Sequence, residues 1–162
     1  MGDPTAINIQ TDPLAQRMRG TTRHKNMYFD VTFISHIHEN LYQGGCQTGL
    51  VLPTNIEHLI SLYPWESYTI HHEMKSRSYH WLYDSDEKPS TLVDGIGEWV
   101  SRCMEDGPTL LHCQAGINRS SLVAVLALKH FGYTAEQAIK LLREKRSPAV
   151  LCNPSFERYL LA

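Results

Sequence analysis

The sequence predicts a single α/β domain, with a central, mostly parallel sheet flanked by helices. Three observations predict it. The 162 residues suffice for one hydrophobic core and hardly for two. Strand-like and helix-like patterns intermingle as far as "TLLH" (109–112), and only helices follow. That short apolar run also leads through a glycine-containing loop into a segment that is apolar on nearly all sides, the pattern of a buried strand–loop–helix unit.

In chain order, residues 1–27 show little periodicity and read as a loosely ordered N-terminal arm before a domain of residues 28–162. "FISHIHENLYQGG" predicts one or two strands closed by Gly44-Gly45. "TNIEHLISLY" predicts a short helix, with Thr54 or Asn55 as its cap and Ile56, Leu59 and Ile60 on one face. "ESYTIHHEMK" and "SYHWLYD" read as strands. "STLVDGIGEWVSRCMED" reads as a helix whose core stripe is Leu92, Ile96, Trp99, Val100 and Cys103. Gly107-Pro108 stops it, and "TLLH" is a central strand. "SSLVAVLALKHF" is a buried helix ended by Gly132. Thr134 and Gln137 form a capping box for a helix to about Arg146, with Ala138, Leu141 and Leu142 facing the core. "NPSFERYLLA" is a last helix with Pro154 in its first turn.

Composition excludes some functions. The net charge of −2 offers no general attraction for nucleic acid or an anionic membrane surface. No apolar run approaches the ~20 residues of a membrane span, and the first stretch is polar, so a cytoplasmic location is the expectation. The four cysteines, Cys46, Cys103, Cys113 and Cys152, make no C-x-x-C pair. Three of them read as small buried hydrophobes. His36 with His38, and His71 with His72, are not joined by the carboxylates or thiols that complete a metal site, so no metal and no cofactor is expected. Lys75, Arg77, Arg143, Lys145 and Arg146 read as solvated charges.

Cys113 differs from the other cysteines because of its neighbours. In "HCQAGINRS" a thiol and a guanidinium bracket a short loop at the start of a helix. Helix N-termini leave N–H groups unpaired and carry positive potential, so an anion is favoured there. Gly116 lets the backbone curl until several amides share one centre. Arg119 offers a planar fork for two phosphate oxygens. In such a field a thiol pKa can drop from ~8.5 to roughly 3.5–7.5. A thiolate at the bottom of a phosphate cradle is placed for in-line attack on phosphorus, with transition-state charge met by amides and Arg119.

"HCQAGINRS" resembles the H-C-x5-R-S/T motif of cysteine-based protein tyrosine phosphatases. The chain's small size, "NLYQGG" and the tail "REKRSPAVLCNPSFERYL" are similar to the dual-specificity branch of that superfamily, over about residues 34–162. The resemblance implies the phosphatase fold, built on a strand–phosphate-binding loop–helix unit. It makes Cys113 the nucleophile and Arg119 the phosphate clamp. Backbone amides of Gln114, Ala115, Gly116, Ile117, Asn118 and Arg119 complete the cradle. Ser120 donates to the sulfur, His112 orders the loop, and Asn153 either braces the loop from behind or caps the last helix.

The family also takes a proton for the leaving oxygen from an aspartate on a loop before the cysteine. "YDSDEKPS" offers two. Asp86 is favoured from its spacing to Pro89 and Leu92; Asp84, which directly follows the strand and is nearer the usual separation, is the alternative. The expected partner is a phosphorylated protein or peptide, with phosphate or vanadate as ligand or inhibitor. The expected activity is that of a metal-free phosphatase working through a cysteinyl-phosphate. The rivals are a phosphatase of a non-protein substrate, such as a phosphoinositide or an RNA 5′-triphosphate, and a catalytically dead phosphate-binding module. The loop lacks the lysines that inositide-directed relatives place there, "GINR" matches RNA triphosphatases of the superfamily, and dead relatives lose the cysteine or arginine that this chain keeps.

Overall fold

The computed structural model describes residues 2–162. Its first departure from expectation is at the N-terminus. In place of a loose arm, β1 (Ile9–Asp12), β2 (Arg17–Thr21) and β3 (Tyr28–Thr32) form an antiparallel sheet in the order β1-β2-β3. The boundary expected between residues 27 and 28 falls inside a strand pair, since Thr21 faces Tyr28 across it. Alternation builds this sheet: Met18, Phe29 and Val31 turn inward while Arg19, Tyr28 and Asp30 face solvent. The inward residues pack on Phe33, Ala115, Ile117 and Ala149. The sheet thus lies against the flank of the "HCQAGINRS" loop. With a single large apolar residue in β2, its sequence pattern is too faint to read as a strand.

The main sheet contains β4 (Ile34–His38), β5 (Leu41–Gly44), β6 (His58–Ser61), β7 (Ser76–Tyr79) and β8 (Thr109–His112), in the order β4-β5-β8-β6-β7. Only β4 and β5 pair antiparallel; the other pairs are parallel. The sheet is therefore mostly parallel, as expected, and β8 is central. The helix expected over 54–63 is instead β6, buried at all four positions between β8 and β7. A short apolar run buried on both faces carries no period that separates strand from helix. "ESYTIHHEMK" contributes only an isolated bridge, Val51 to Thr69, and "SYHWLYD" gives β7 just Ser78 and Tyr79.

Four helices cover the sheet: α1 (Leu92–Asp106), α2 (Arg119–Lys129), α3 (Ala135–Lys145) and α4 (Pro154–Leu161). The buried face of α1 is Val93, Gly97, Val100, Ser101, Cys103 and Met104. Leu92 and Trp99, expected in the core, are exposed. Gly97 explains the rotation. A Cβ there would lie 2.6 Å from Leu126 Cβ on α2, so only glycine lets the two helices approach this closely. The capping box of α3 is present in full, with Thr134 Oγ accepting from Gln137 N–H, and Pro154 opens α4. Among the described residues no helix is long and apolar enough to cross a membrane.

Candidate active site

The loop between β8 and α2 is shaped by its carbonyls. Each of five consecutive carbonyl oxygens accepts a hydrogen bond from outside the loop's concave face. His112 Nδ1 donates to Cys113 O at 3.0 Å and Cys46 N–H to Gln114 O at 3.0 Å. Arg146 donates to Ala115 O at 2.8 Å and to Gly116 O at 2.9 Å. Leu151 N–H reaches Ile117 O at 3.0 Å, from a backbone held at a φ of 58°. With the carbonyls turned out, the amides turn in. Among the described residues no protein acceptor pairs with the backbone N–H groups of Gln114 to Asn118. Gly116 sits at a φ of 73°, and a Cβ on it would lie 2.7 Å from both Arg146 Nε and Gly44 C, so the curl requires glycine.

Two residues that hold this arrangement escaped the sequence reading. Arg146, read as a solvated charge, is buried; it also donates to Thr32 O and Ser35 Oγ, each at 2.8 Å. Burial lowers its pKa to about 10, which leaves it charged at neutral pH. Gln43, on β5, is fully buried and directs Nε2 at Ser120 Oγ (2.9 Å), Ser121 Oγ (2.7 Å) and Gly116 O (3.2 Å). Only the spatial neighbourhood of "NLYQGG" and "NRSS", joined by the β5–β8 pairing, reveals its part.

Cys113 is 2% exposed, and its Sγ lies 3.3 Å from Ser120 Oγ. When the sulfur is ionised it can only accept, so Ser120 must donate to it. Gln43 Nε2 then supplies the hydrogen that Ser120 Oγ accepts. Gln43→Leu is expected to slow turnover about tenfold while KM stays within about twofold, since the contact acts on the sulfur and not on bound phosphate. Steady-state hydrolysis of an aryl phosphate measures it. By contrast, burial pushes the thiols of Cys46 and Cys103 up, which suits inert core residues.

Arg119, the first residue of α2, is 3% exposed. Its Nη1 donates to Asp3 Oδ2 at 2.6 Å and to Leu82 O at 3.0 Å, and its guanidinium lies over the Tyr63 ring at 4.9 Å. Burial alone would raise the pKa of Asp3; hydrogen bonds from Thr5 and Arg119 outweigh it and hold the carboxyl below the usual range. A cavity of about 20 Å³ remains over the loop, lined by Thr5, Arg23, Asp84, Cys113, Gln114 and Arg119 among others. That is room for about one water.

The two candidate acids part company here. Asp84 lines the cavity. Its carboxylate accepts from Asn118 Nδ2 at 3.1 Å and Asn153 Nδ2 at 2.7 Å, and His24 Nε2 lies 3.2 Å away. Its backbone N–H donates to Thr5 Oγ. Asp86, favoured on sequence spacing, does not line the cavity. Its side chain is 79% exposed and meets Arg23 Nη1 at 3.4 Å. The chain turns between them because Asn153 Nδ2 also takes Ser85 O and Ser155 Oγ takes Asp86 O. Both readings of Asn153 hold together: its Oδ1 caps α4 through Ser155 N–H, while its N–H donates to Asn118 Oδ1 behind the loop. His24 and Thr5 come from the N-terminal segment, where no local pattern marks them.

His112 is 1% exposed. Burial lowers its pKa from the ordinary 6.5 to about 4. The fold therefore favours the neutral ring. That stabilisation is fully present above pH ~6.5 and is lost as pH falls towards 4, because the unfolded chain takes the proton first. The expected loss is about 3 kcal/mol across that window, read from denaturant midpoints at pH 7 and pH 4.5.

Comparison with known proteins agrees with this geometry. The family model "Dual specificity phosphatase, catalytic domain" matches residues 41–162. The "MAP kinase phosphatase with leucine-rich repeats protein 3" of Dictyostelium discoideum is 34% identical over 92 residues, 54% of this chain but only 11% of that protein. A crystallised mouse protein described as a dual specificity phosphatase, complexed with zinc tungstate, superposes with a TM-score of 0.69 at 18% identity, over 80% of this chain and 84% of its own. Human DUSP28 superposes with a TM-score of 0.66 at 13% identity, over 78% and 92%. At those identities the superpositions speak for the fold.

Proposed function

Since the chain belongs to the dual-specificity phosphatase family, we propose that it hydrolyses phosphomonoesters of tyrosine, serine and threonine in proteins through a cysteinyl-phosphate. The observation that carries this reading is the convergence of unpaired loop amides, Cys113 and Arg119 on one cavity, with each loop carbonyl from Cys113 to Ile117 engaged outside it. Three phosphoryl oxygens lie against the amides and the Arg119 fork, and the sulfur faces phosphorus opposite the leaving oxygen. Cys113 Sγ forms a bond to phosphorus as the P–O bond to the substrate breaks. Asp84, protonated in the complex, gives its proton to the departing oxygen. Asp84 then accepts a proton from water, which attacks the cysteinyl-phosphate. Inorganic phosphate leaves, and the sulfur departs as a thiolate with Ser120 donating to it.

The test is acid-quenched turnover of 4-nitrophenyl phosphate in the presence of a chelator. The expected result is one phosphoryl group on Cys113, detected by mass spectrometry and lost in Cys113→Ser together with turnover. Turnover that persists in Cys113→Ser, or that the chelator abolishes, overturns the reading. The loop's Gln114, Ala115 and Ile117 supply no cation besides Arg119, which favours a single phosphoryl group over a multiply phosphorylated inositol ring.

A further inference from the structure

The segment that lies across the cradle belongs to the chain itself. Asp3 to Ala6 form a turn, closed by Ala6 N–H donating to Asp3 O. Asp3 Oδ2 takes Arg119 Nη1, and its Oδ1 takes both the N–H and the hydroxyl of Thr5. The Asp3 side chain is fully buried in this ion pair. Thr5 and Ile7 line the cavity beside Cys113. Ile7 is held at both backbone groups by one side chain: its N–H donates to Gln114 Oε1 at 3.0 Å, and its carbonyl accepts from Gln114 Nε2 at 2.7 Å. A primary amide bonded this way reads a peptide backbone and ignores its side chain.

These contacts engage two side chains that rim the cavity over Cys113, and they engage them as an acidic peptide would. A carboxylate is a planar two-oxygen anion, which an arginine fork accepts much as it accepts phosphate. The cavity that remains, about 20 Å³, admits a water but no phosphoryl group. We propose that residues 3–7 are a tethered pseudosubstrate: a strap that holds Arg119 and Gln114 until a phosphorylated peptide displaces it and takes over both contacts. This rests on the phosphatase reading above, and it adds that the substrate is a peptide whose backbone meets Gln114. Tethering gives the strap an effective concentration on the order of millimolar. A single carboxylate can then hold the cleft, while a phosphate dianion, which also engages the loop amides, can still displace it.

The test compares the full chain with Asp3→Ala and Asp3→Asn; the second keeps side-chain volume and guards against misfolding. The deciding readout is alkylation of Cys113 by iodoacetate, an anion that must reach the same cavity, followed by mass spectrometry with and without inorganic vanadate. Both variants are expected to react about tenfold faster, with vanadate suppressing the gain, and KM for 4-nitrophenyl phosphate is expected to fall by a similar factor. An unchanged or slower rate in both variants overturns the proposal. So does a gain that vanadate does not suppress, since that marks a loosened fold. Alkylation needs no turnover: if no protein hydrolyses the ester, the phosphatase reading fails while the strap is still decided.

Discussion

Asp84→Asn is expected to lower kcat/KM for phenyl phosphate by roughly 10²–10⁴, with Asp86→Asn remaining within about twofold of the parent. The ground is position. Asp84 lines the cavity that holds Cys113, whereas Asp86 is 79% exposed beside Arg23. The substitution keeps an oxygen that Asn118 or Asn153 can donate to, so most of the loop's anchorage survives while the transferable proton is lost. Leaving groups separate an acid from a merely positioning carboxylate. 4-Nitrophenolate departs with little need of a proton, so the loss with its ester should be far smaller than with phenyl phosphate. An equal loss with both esters would make Asp84 a positioning residue, and a normal Asp84→Asn with a crippled Asp86→Asn would reverse the assignment.

Arg146→Met should cost about 2–4 kcal/mol of stability, the sum of several acceptors left without donors, offset by release of a buried charge. Ala115 O, Thr32 O and Ser35 Oγ lose a donor, and Gly116 O keeps only Gln43. Activity should suffer more than folding. An amide cradle displaced by about 1 Å loses on the order of 10² in rate, and vanadate inhibition should weaken in parallel. Arg146→Lys should not rescue either effect, because a point ammonium cannot serve carbonyls lying in three directions. Urea denaturation and vanadate titration measure the two effects separately. A variant of normal stability and normal vanadate affinity would mean that the loop keeps its shape without Arg146.

The sequence makes the reacting groups legible and leaves their supports hidden, for a physical reason. Cys113, Gly116, Arg119 and Ser120 lie within one loop, where short spacing restricts what the backbone can do, so residue type and order carry the chemistry. Gln43, Arg146, His24 and Asp3 reach the same place from distant parts of the chain. Each has an ordinary surface reading until sheet pairing and burial bring it in; Asp3 pairs with Arg119 only because β1–β3 pack beside the loop. The same blindness governs the fold. The capping box of α3 is local and was read correctly, whereas β6 was read as a helix because its four buried residues owe their conformation to β7 and β8 on either side. Asp84 and Asp86 could not be separated by spacing, since what separates them is Asn153, far along the chain.

The three N-terminal strands have a consequence for how separable this protein's parts are. Thr32 and Ser35 hold the far side of Arg146, while Thr5 and His24 hold Asp84; all four precede residue 41, where the family match begins. Trimming the chain to the shared portion would remove the outer buttress of the cradle along with the appendage. What looks in sequence like a detachable leader is in the folded molecule a foundation, and a transplanted 41–162 segment would need a replacement for it.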